Sequence, residues 1–272
     1  MPSTRAICAS LSTIFCIALG SHDSIAQNGG RKLPQSVVDM VNAQVQWDAG
    51  QQDPTRPHLE FVKVDEFNRS DGHFVRYRML APGVSEGQQY KVAIWKIGTL
   101  IQNLQVLSSP AYVNRKGLLL TRKPSPDQED VQSAEQNVEF DVGVQAANGE
   151  PIRFALLSKD SKVIASGTLV PYPLESSDKG CRLSVQLSAP EANVVLVTAE
   201  GFAANTELVV KGDSAGELKE SRHKTDTNGR VEFAALPYVV GKEDGVLTDV
   251  IETPDCSVKV QIPWGQGSYH KH

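Results

Sequence analysis

Short runs of alternating apolar and polar residues, divided by turn residues, fill the chain from His58 to Ile262. In CRLSVQL (Cys181–Leu187), for example, every second residue from the cysteine onward is apolar. Because side chains two apart lie on the same face of a β-strand, such a run predicts a strand with one buried face. Turn residues recur about every 8–12 residues, which is the spacing typical of a β-sandwich or barrel. The pattern therefore predicts an all-β protein.

The first 26 residues have the three parts of a secretory signal peptide. Arg5 precedes an apolar run at residues 6–19, and the small residues Ser24 and Ala26 occupy the positions expected before a cut at Gln27. The apolar run is shorter than the roughly 20 residues that span a bilayer as a helix. We therefore predict a cleaved signal peptide, a secreted or periplasmic protein, and no membrane span after cleavage.

Cleavage would leave two cysteines, Cys181 and Cys256, each at the start of an alternating run. Exported proteins meet oxidising conditions, in which a lone cysteine pair forms a disulfide more often than a metal site. We therefore predict a disulfide between Cys181 and Cys256, and no metal. Each cysteine has the parity of the apolar face of its run. This predicts that the two runs are the first and last strands of one sandwich, and that they pair in parallel.

Turn-rich stretches divide the mature chain. We predict an N-terminal extension at residues 27–57, in which SVVDMVNAQVQW (residues 36–47) could form a short helix. Residues 58–175 are predicted to form a first β-sandwich domain, with a possible split at the polar stretch near residues 123–135. PYPLESSDKG (residues 171–180) is the predicted joint to a second β-sandwich at residues 180–265, and residues 266–272 are a tail.

The C-terminal third carries a further pattern. GFAANT (residues 201–206) leads into an alternating run, and TDTNGRVEF (residues 225–233) follows as a hairpin-like segment. This combination resembles bacterial extracellular immunoglobulin-like modules over roughly residues 182–262. The resemblance implies an immunoglobulin-like β-sandwich for this region, and together with the strand pattern of residues 58–175 it leads us to predict two immunoglobulin-like β-sandwich domains in tandem. Such modules commonly serve as adhesive, spacer or accessory domains of exported proteins, so it also permits a binding or structural role.

Three motifs have the appearance of chemical sites. GDSAG (residues 212–216) matches G-x-S-x-G, but the nucleophile elbow needs a strand followed by a helix, whereas this motif lies between β-like runs. DTNG (residues 226–229) lacks the closing ligands of a calcium loop and fits a hairpin turn better. His270 and His272 form a pair on a terminal tail without an evident third ligand. We predict no catalytic residue, no metal and no cofactor.

The net charge is −5, and basic residues are not concentrated in any part of the sequence, so nucleic-acid binding is not expected. Trp264 and Tyr269, in the glycine-rich PWGQGSY segment, are the predicted candidates for contact with a ligand. The sequence thus favours an exported, non-enzymatic binding or structural module of the cell envelope, whose partner is an unidentified envelope protein or polysaccharide. The alternatives are an accessory carbohydrate- or polymer-binding protein and a two-domain, chaperone-like periplasmic protein.

Overall fold

The computed structural model of the protein describes residues 34–51, 53, 55–99, 101–123 and 139–266. Over this part of the chain the fold consists mostly of antiparallel β-sheets, with one α-helix, which confirms the all-β prediction. The helix α1 (Gln35–Gln51) contains the predicted segment, residues 36–47, and extends beyond it. The predicted signal peptide, Tyr269 and most of the polar stretch near residues 123–135 lie outside the described residues.

An N-terminal β unit follows the helix. Its described strands are β1 (Glu60–Arg69), β2 (Gly72–Leu80), β3 (Gln89–Trp95), β4 (Gln105–Val113), β5 (Leu119–Leu120), β6 (Asp141–Val144), β7 (Ile152–Leu157) and β8 (Val163–Leu169). They form a three-stranded sheet of order β1-β2-β6 and a five-stranded sheet of order β5-β4-β3-β7-β8. The apolar faces of both sheets contribute to one core, which includes Val75, Met79 and Phe154.

A C-terminal β unit has the same layered arrangement. Its strands are β9 (Leu174–Asp178), β10 (Cys181–Leu187), β11 (Val195–Glu200), β12 (Glu207–Ser214), β13 (Glu217–Lys224), β14 (Val231–Ala235), β15 (Asp244–Glu252) and β16 (Ser257–Gly265). One sheet has the order β14-β11-β10-β9 and the other β13-β12-β15-β16, and the two share a single core. Two segments depart from the sequence pattern: β9 lies within the predicted joint at residues 171–180, and β13 is a strand although its charged sequence is typical of a loop.

The disulfide between Cys181 and Cys256 is present, as predicted. Cys181 opens β10, and Cys256 directly precedes β16. β16 is the last strand of the unit, as predicted, but β10 is not the first, because β9 precedes it in the same sheet. The predicted parallel pairing of β10 and β16 is also wrong, because they belong to different sheets. The bond therefore links the two layers of the sandwich across its core. Beside it, the backbone N–H of Ser257 donates a hydrogen bond of 2.9 Å to Asp178, which draws the same two layers together.

Helix α1 lies between the two β units and packs against both. Trp47 packs in a cluster with Trp95 and other residues of β3 and β7, on the outer face of the five-stranded sheet. Val41, from another side of the helix, packs with Val194, Leu196 and Leu236 of the C-terminal unit. A helix with two separate apolar stripes needs two partners, and the β units supply one each.

A buried polar network accompanies these apolar contacts. The Arg153 guanidinium is 2% exposed; it donates to Asp48 of the helix at 2.7 Å and to Gln186 of β10 at 3.3 Å. It also lies 5.4 Å from the centre of the Trp95 ring. Gln44 of the helix donates to the carbonyl of Ser188 at 3.0 Å. Because a buried charge is tolerated only when paired, this network favours a single arrangement of helix and β units.

Candidate functional site

The predicted ligand contact at Trp264 is not at the surface. Its side chain is 1% exposed and belongs to the core of the C-terminal unit. The indole Nε1 donates to Ser214 Oγ at 3.0 Å, and the ring fills the space next to Gly245, where a Cβ would approach it to 2.5 Å. Trp264 is thus a core residue rather than the surface contact that the sequence predicted. Tyr269 lies outside the described residues.

The GDSAG motif forms the end of β12 and the turn into β13, with no helix after it. Ser214 is fully buried, donates its hydroxyl hydrogen to the carbonyl of Pro237, and accepts from Trp264. Its hydroxyl is therefore a structural hydrogen-bonding group. The DTNG segment is likewise a turn, in which Asp226 Oδ1 accepts from the backbone N–H groups of Asn228 and Arg230 at 2.8 and 2.9 Å.

Two titratable side chains, Asp249 and His223, are buried in the C-terminal unit. Asp249 projects from β15 toward the core, over Gly212, and burial raises its pKa to about 6 against an opposing effect of Lys219. On β13, His223 accepts from or donates to Ser221 at 2.9 Å and stacks on Phe233, and burial lowers its pKa. These groups affect the pH dependence of folding, but they line no described cavity.

A concave surface lies at one end of the N-terminal unit. We call it the loop notch. It is formed by the β2–β3 and β4–β5 loops and has a volume of about 430 Å³. Its lining residues are Pro82, Gly83, Val84, Glu86, Asn114, Arg115, Lys116 and Gly117. That volume lies in the range of small-molecule sites, roughly 300–1,000 Å³.

Backbone hydrogen bonds hold the two loops of the notch together. The N–H of Ala81 donates to the carbonyl of Gly117 at 2.6 Å, and the N–H of Gly87 donates to the carbonyl of Val113 at 3.1 Å. Gly117 has φ +77°, and a Cβ there would lie 3.3 Å from Pro82. The positive φ favours glycine at this turn, and the contact with Pro82 leaves little room for a larger side chain.

The second loop is shaped by one side chain. Asn114 Oδ1 accepts from the backbone N–H groups of Lys116 and Leu118, at 2.9 and 3.0 Å. This is the local bonding by which asparagine stabilises turns. Arg115 and Lys116 lie within this turn, where they are exposed and line the notch. The notch is thus built on loops that a rigid pair of sheets positions, as binding sites commonly are.

The charges around the notch have both signs. Glu86 Oε2 and Arg115 Nε lie 3.5 Å apart, with both side chains more than half exposed. Among the described residues, Lys116 Nζ forms no ion pair, which leaves one cation available at the rim. Guanidinium and ammonium groups donate hydrogen bonds, and a carboxylate accepts them. The notch can therefore bind a polar group that both donates and accepts.

No pattern in the sequence indicated this notch, because its residues come from two loops separated by two strands. An asparagine–glycine spacing (Asn114 to Gly117) and the glycine-rich APGVSEG loop were visible, but each is typical of an ordinary turn. Glu86 lies next to Arg115 because β3 pairs with β4 and because backbone hydrogen bonds join the two loops, Ala81 to Gly117 and Gly87 to Val113.

Within the described residues, no helix has the length and apolar character needed to cross a membrane, and no three His, Cys, Asp or Glu side chains cluster as metal ligands would. In comparisons with known proteins, no family model matches the chain and no curated protein matches it in sequence. What the protein binds must therefore be inferred from the geometry of its own surfaces.

Proposed function

We propose that the protein is an exported, non-enzymatic binding module of the cell envelope, built from two immunoglobulin-like β-sandwich units, and that it binds a polysaccharide in the loop notch. The notch is the observation that carries this proposal. It is open and of suitable volume, and it combines the acceptor Glu86 with the donors Arg115 and Lys116. Sugar hydroxyls both donate and accept hydrogen bonds, so they complement such a surface.

The arrangement of the two units supports a binding rather than a flexible spacer role. The Arg153–Asp48 pair and the packing of helix α1 on both units hold the notch in one orientation relative to the C-terminal unit. A fixed orientation reduces the entropy lost when an extended ligand is bound. The disulfide stabilises the C-terminal unit under the oxidising conditions expected outside the cytoplasm.

Co-sedimentation with purified peptidoglycan, and affinity electrophoresis with soluble envelope polysaccharides of the source organism, test the proposal. We expect binding to at least one of these polymers. Glu86→Ala and Lys116→Ala should each weaken it about 10-fold, because each removes a charged hydrogen-bonding group. Lys159→Ala is the matched control, since Lys159 is an exposed lysine in another loop of the same unit. Binding that resists both notch substitutions would reject the notch as the site.

A further inference from the structure

Strand β1 is paired along one side only. Its backbone bonds to β2 from Glu60↔Leu80 to Arg69↔Gly72. The chain just before it is tied to β8, where the N–H of Leu59 donates to Ser166 at 2.9 Å. From Glu60 onward, no described backbone group bonds to the outer edge of β1. An open edge of ten residues is a template on which another strand can pair.

The side chains along this edge include exposed apolar groups. Val62 is 51% exposed and Val64 is 40% exposed. Val64 lies at a bulge, where the register with β2 shifts between Lys63 and Asp65. The bulge reverses the alternation, so that Lys63 and Glu66 come to lie on the same face of the strand and form an ion pair.

The hairpin of β1 and β2 is stiffened by a ladder on its outer face. Phe67 and Phe74 stack with ring centres 5.6 Å apart. Arg69 lies 5.5 Å from the centre of Phe74, and Arg76 lies 5.9 Å from the centre of Phe67. Arg76 is also paired with Asp65 through two hydrogen bonds. These contacts cover the faces of both rings and stiffen the hairpin to which the open edge of β1 belongs.

When two copies of β1 are placed antiparallel, basic residues of one copy lie opposite acidic residues of the other. If the bulged Val64 is not counted, Lys63 and Glu66 each lie one position from Asp65 along the strand, in opposite directions. Glu60 and Arg69 each lie four positions from Asp65 in the same way. We propose that a second copy of this chain is the partner of this edge, and that the two β1 strands pair antiparallel about a two-fold axis at Asp65. The three strands of each copy then form one continuous sheet.

In the proposed register the side chains at positions 60, 63, 66 and 69 face groups of opposite charge, whereas the bulged Val64 has no counterpart. Lys63 of one copy faces Glu66 of the second copy, and Glu60 faces Arg69. Val62 lies opposite Phe67, whose ring extends over Gly143 of its own sheet rather than toward the open edge. All of these pairs lie on matching faces, because both strands carry the same bulge. The two Asp65 carboxylates meet at the axis, where each is already paired with Arg76 of its own chain. Opposite charges and apolar pairs directly across an antiparallel ladder stabilise it.

Sedimentation equilibrium over a range of protein concentrations, combined with a charge swap, tests the proposal. We expect the wild-type chain to dimerise, and Lys63→Glu and Glu66→Lys each to weaken dimerisation more than about 10-fold, because each homodimer then contains two like-charge contacts. An equimolar mixture of the two variants should form a heterodimer, since two carboxylates of one chain then face two ammonium groups of the other. Within each variant chain, positions 63 and 66 remain like-charged, so recovery in the mixture cannot come from relief inside one chain.

Lys159→Glu is the matched control for a change of surface charge and should dimerise as the wild type does. Far-ultraviolet circular dichroism and the melting temperature establish that each variant is folded. A wild-type chain that stays monomeric at every concentration overturns the proposal. So does a dimer that is insensitive to Lys63→Glu, because it would use another surface, and so does a mixture of folded variants that fails to form the heterodimer.

Discussion

Substitution of the buried Asp249 by asparagine is expected to stabilise the protein at neutral pH. Asp249 faces the core of the C-terminal unit between Leu247 and Ile251, over Gly212, with Lys219 as the charged group that acts on it. Burial raises its pKa from 3.8 to about 6. In the unfolded chain the carboxyl group is hydrated and loses its proton at a lower pH, so ionisation favours unfolding.

The magnitude follows from this difference in pKa. Each unit of difference corresponds to about 1.4 kcal/mol, so an ionised Asp249 costs about 3 kcal/mol of folding free energy. Below about pH 4 the carboxyl group is neutral in both states and the cost is absent. Between about pH 4 and pH 6 the folded chain binds more protons than the unfolded chain, and stability falls as the pH rises. Above about pH 6 the full cost remains.

Urea denaturation of the wild type and Asp249→Asn, at a series of pH values, measures this effect. We expect the variant to be up to about 3 kcal/mol more stable at pH 7 and nearly equal to the wild type at pH 4. Taking the difference between the two proteins removes the contribution of all other titrating groups. Asp244→Asn, an exposed position on the same strand, is the control and should change stability by less than about 0.5 kcal/mol. A difference between wild type and Asp249→Asn that does not vary with pH would refute the reasoning.

Three further predictions concern the folded state. Replacing Cys181 and Cys256 by alanine should lower the free energy of unfolding by about 4.5 kcal/mol, from the chain entropy of a 75-residue loop, and denaturation of the oxidised wild type against the variant checks this. Arg153→Ala should destabilise by roughly 3–5 kcal/mol, because it leaves Asp48 without its buried partner; a loss under about 1 kcal/mol in thermal unfolding would contradict that role. Burial lowers the pKa of His223, so its protonation favours unfolding and the contribution of this group to stability should fall as the pH drops below about 6.5; the difference in melting temperature between His223→Gln and the wild type, followed against pH, measures that contribution.

Alternation was a reliable guide where one face of a strand is buried. The parity of Cys181 and Cys256 with their apolar neighbours predicted both strands, and the lone cysteine pair of an exported chain predicted the disulfide; both cysteines project into the same core. The same parity continues from Cys256 through Ile262 to Trp264, which indicates that the indole belongs to the core. The glycine-rich surroundings of Trp264 favoured a surface position instead. In the fold one further glycine, Gly245, provides the space for the ring.

Strand β13 illustrates why other elements could not be predicted. Its sequence, ELKESRHK, has charged residues on both faces and therefore lacks an apolar stripe. The strand exists because β12 supplies a full ladder of backbone partners along one side. Its charged side chains suit an edge strand, one side of which is open to solvent. The loop notch and the Arg153 network depend on long-range contacts in the same way, and no local pattern encodes them.

The position of helix α1 has a consequence for the order of folding. Its residues leave the ribosome before either β unit, yet Val41 packs against Val194, Leu196 and Leu236, about 150 to 200 positions later in the chain. Contacts of such sequence separation form slowly, because a long loop must close first. The helix is therefore expected to dock last, with its apolar stripes exposed until the C-terminal unit has formed. A chain truncated before residue 194 would lack the residues that cover Val41, so one apolar stripe of the helix would stay exposed in an incomplete chain.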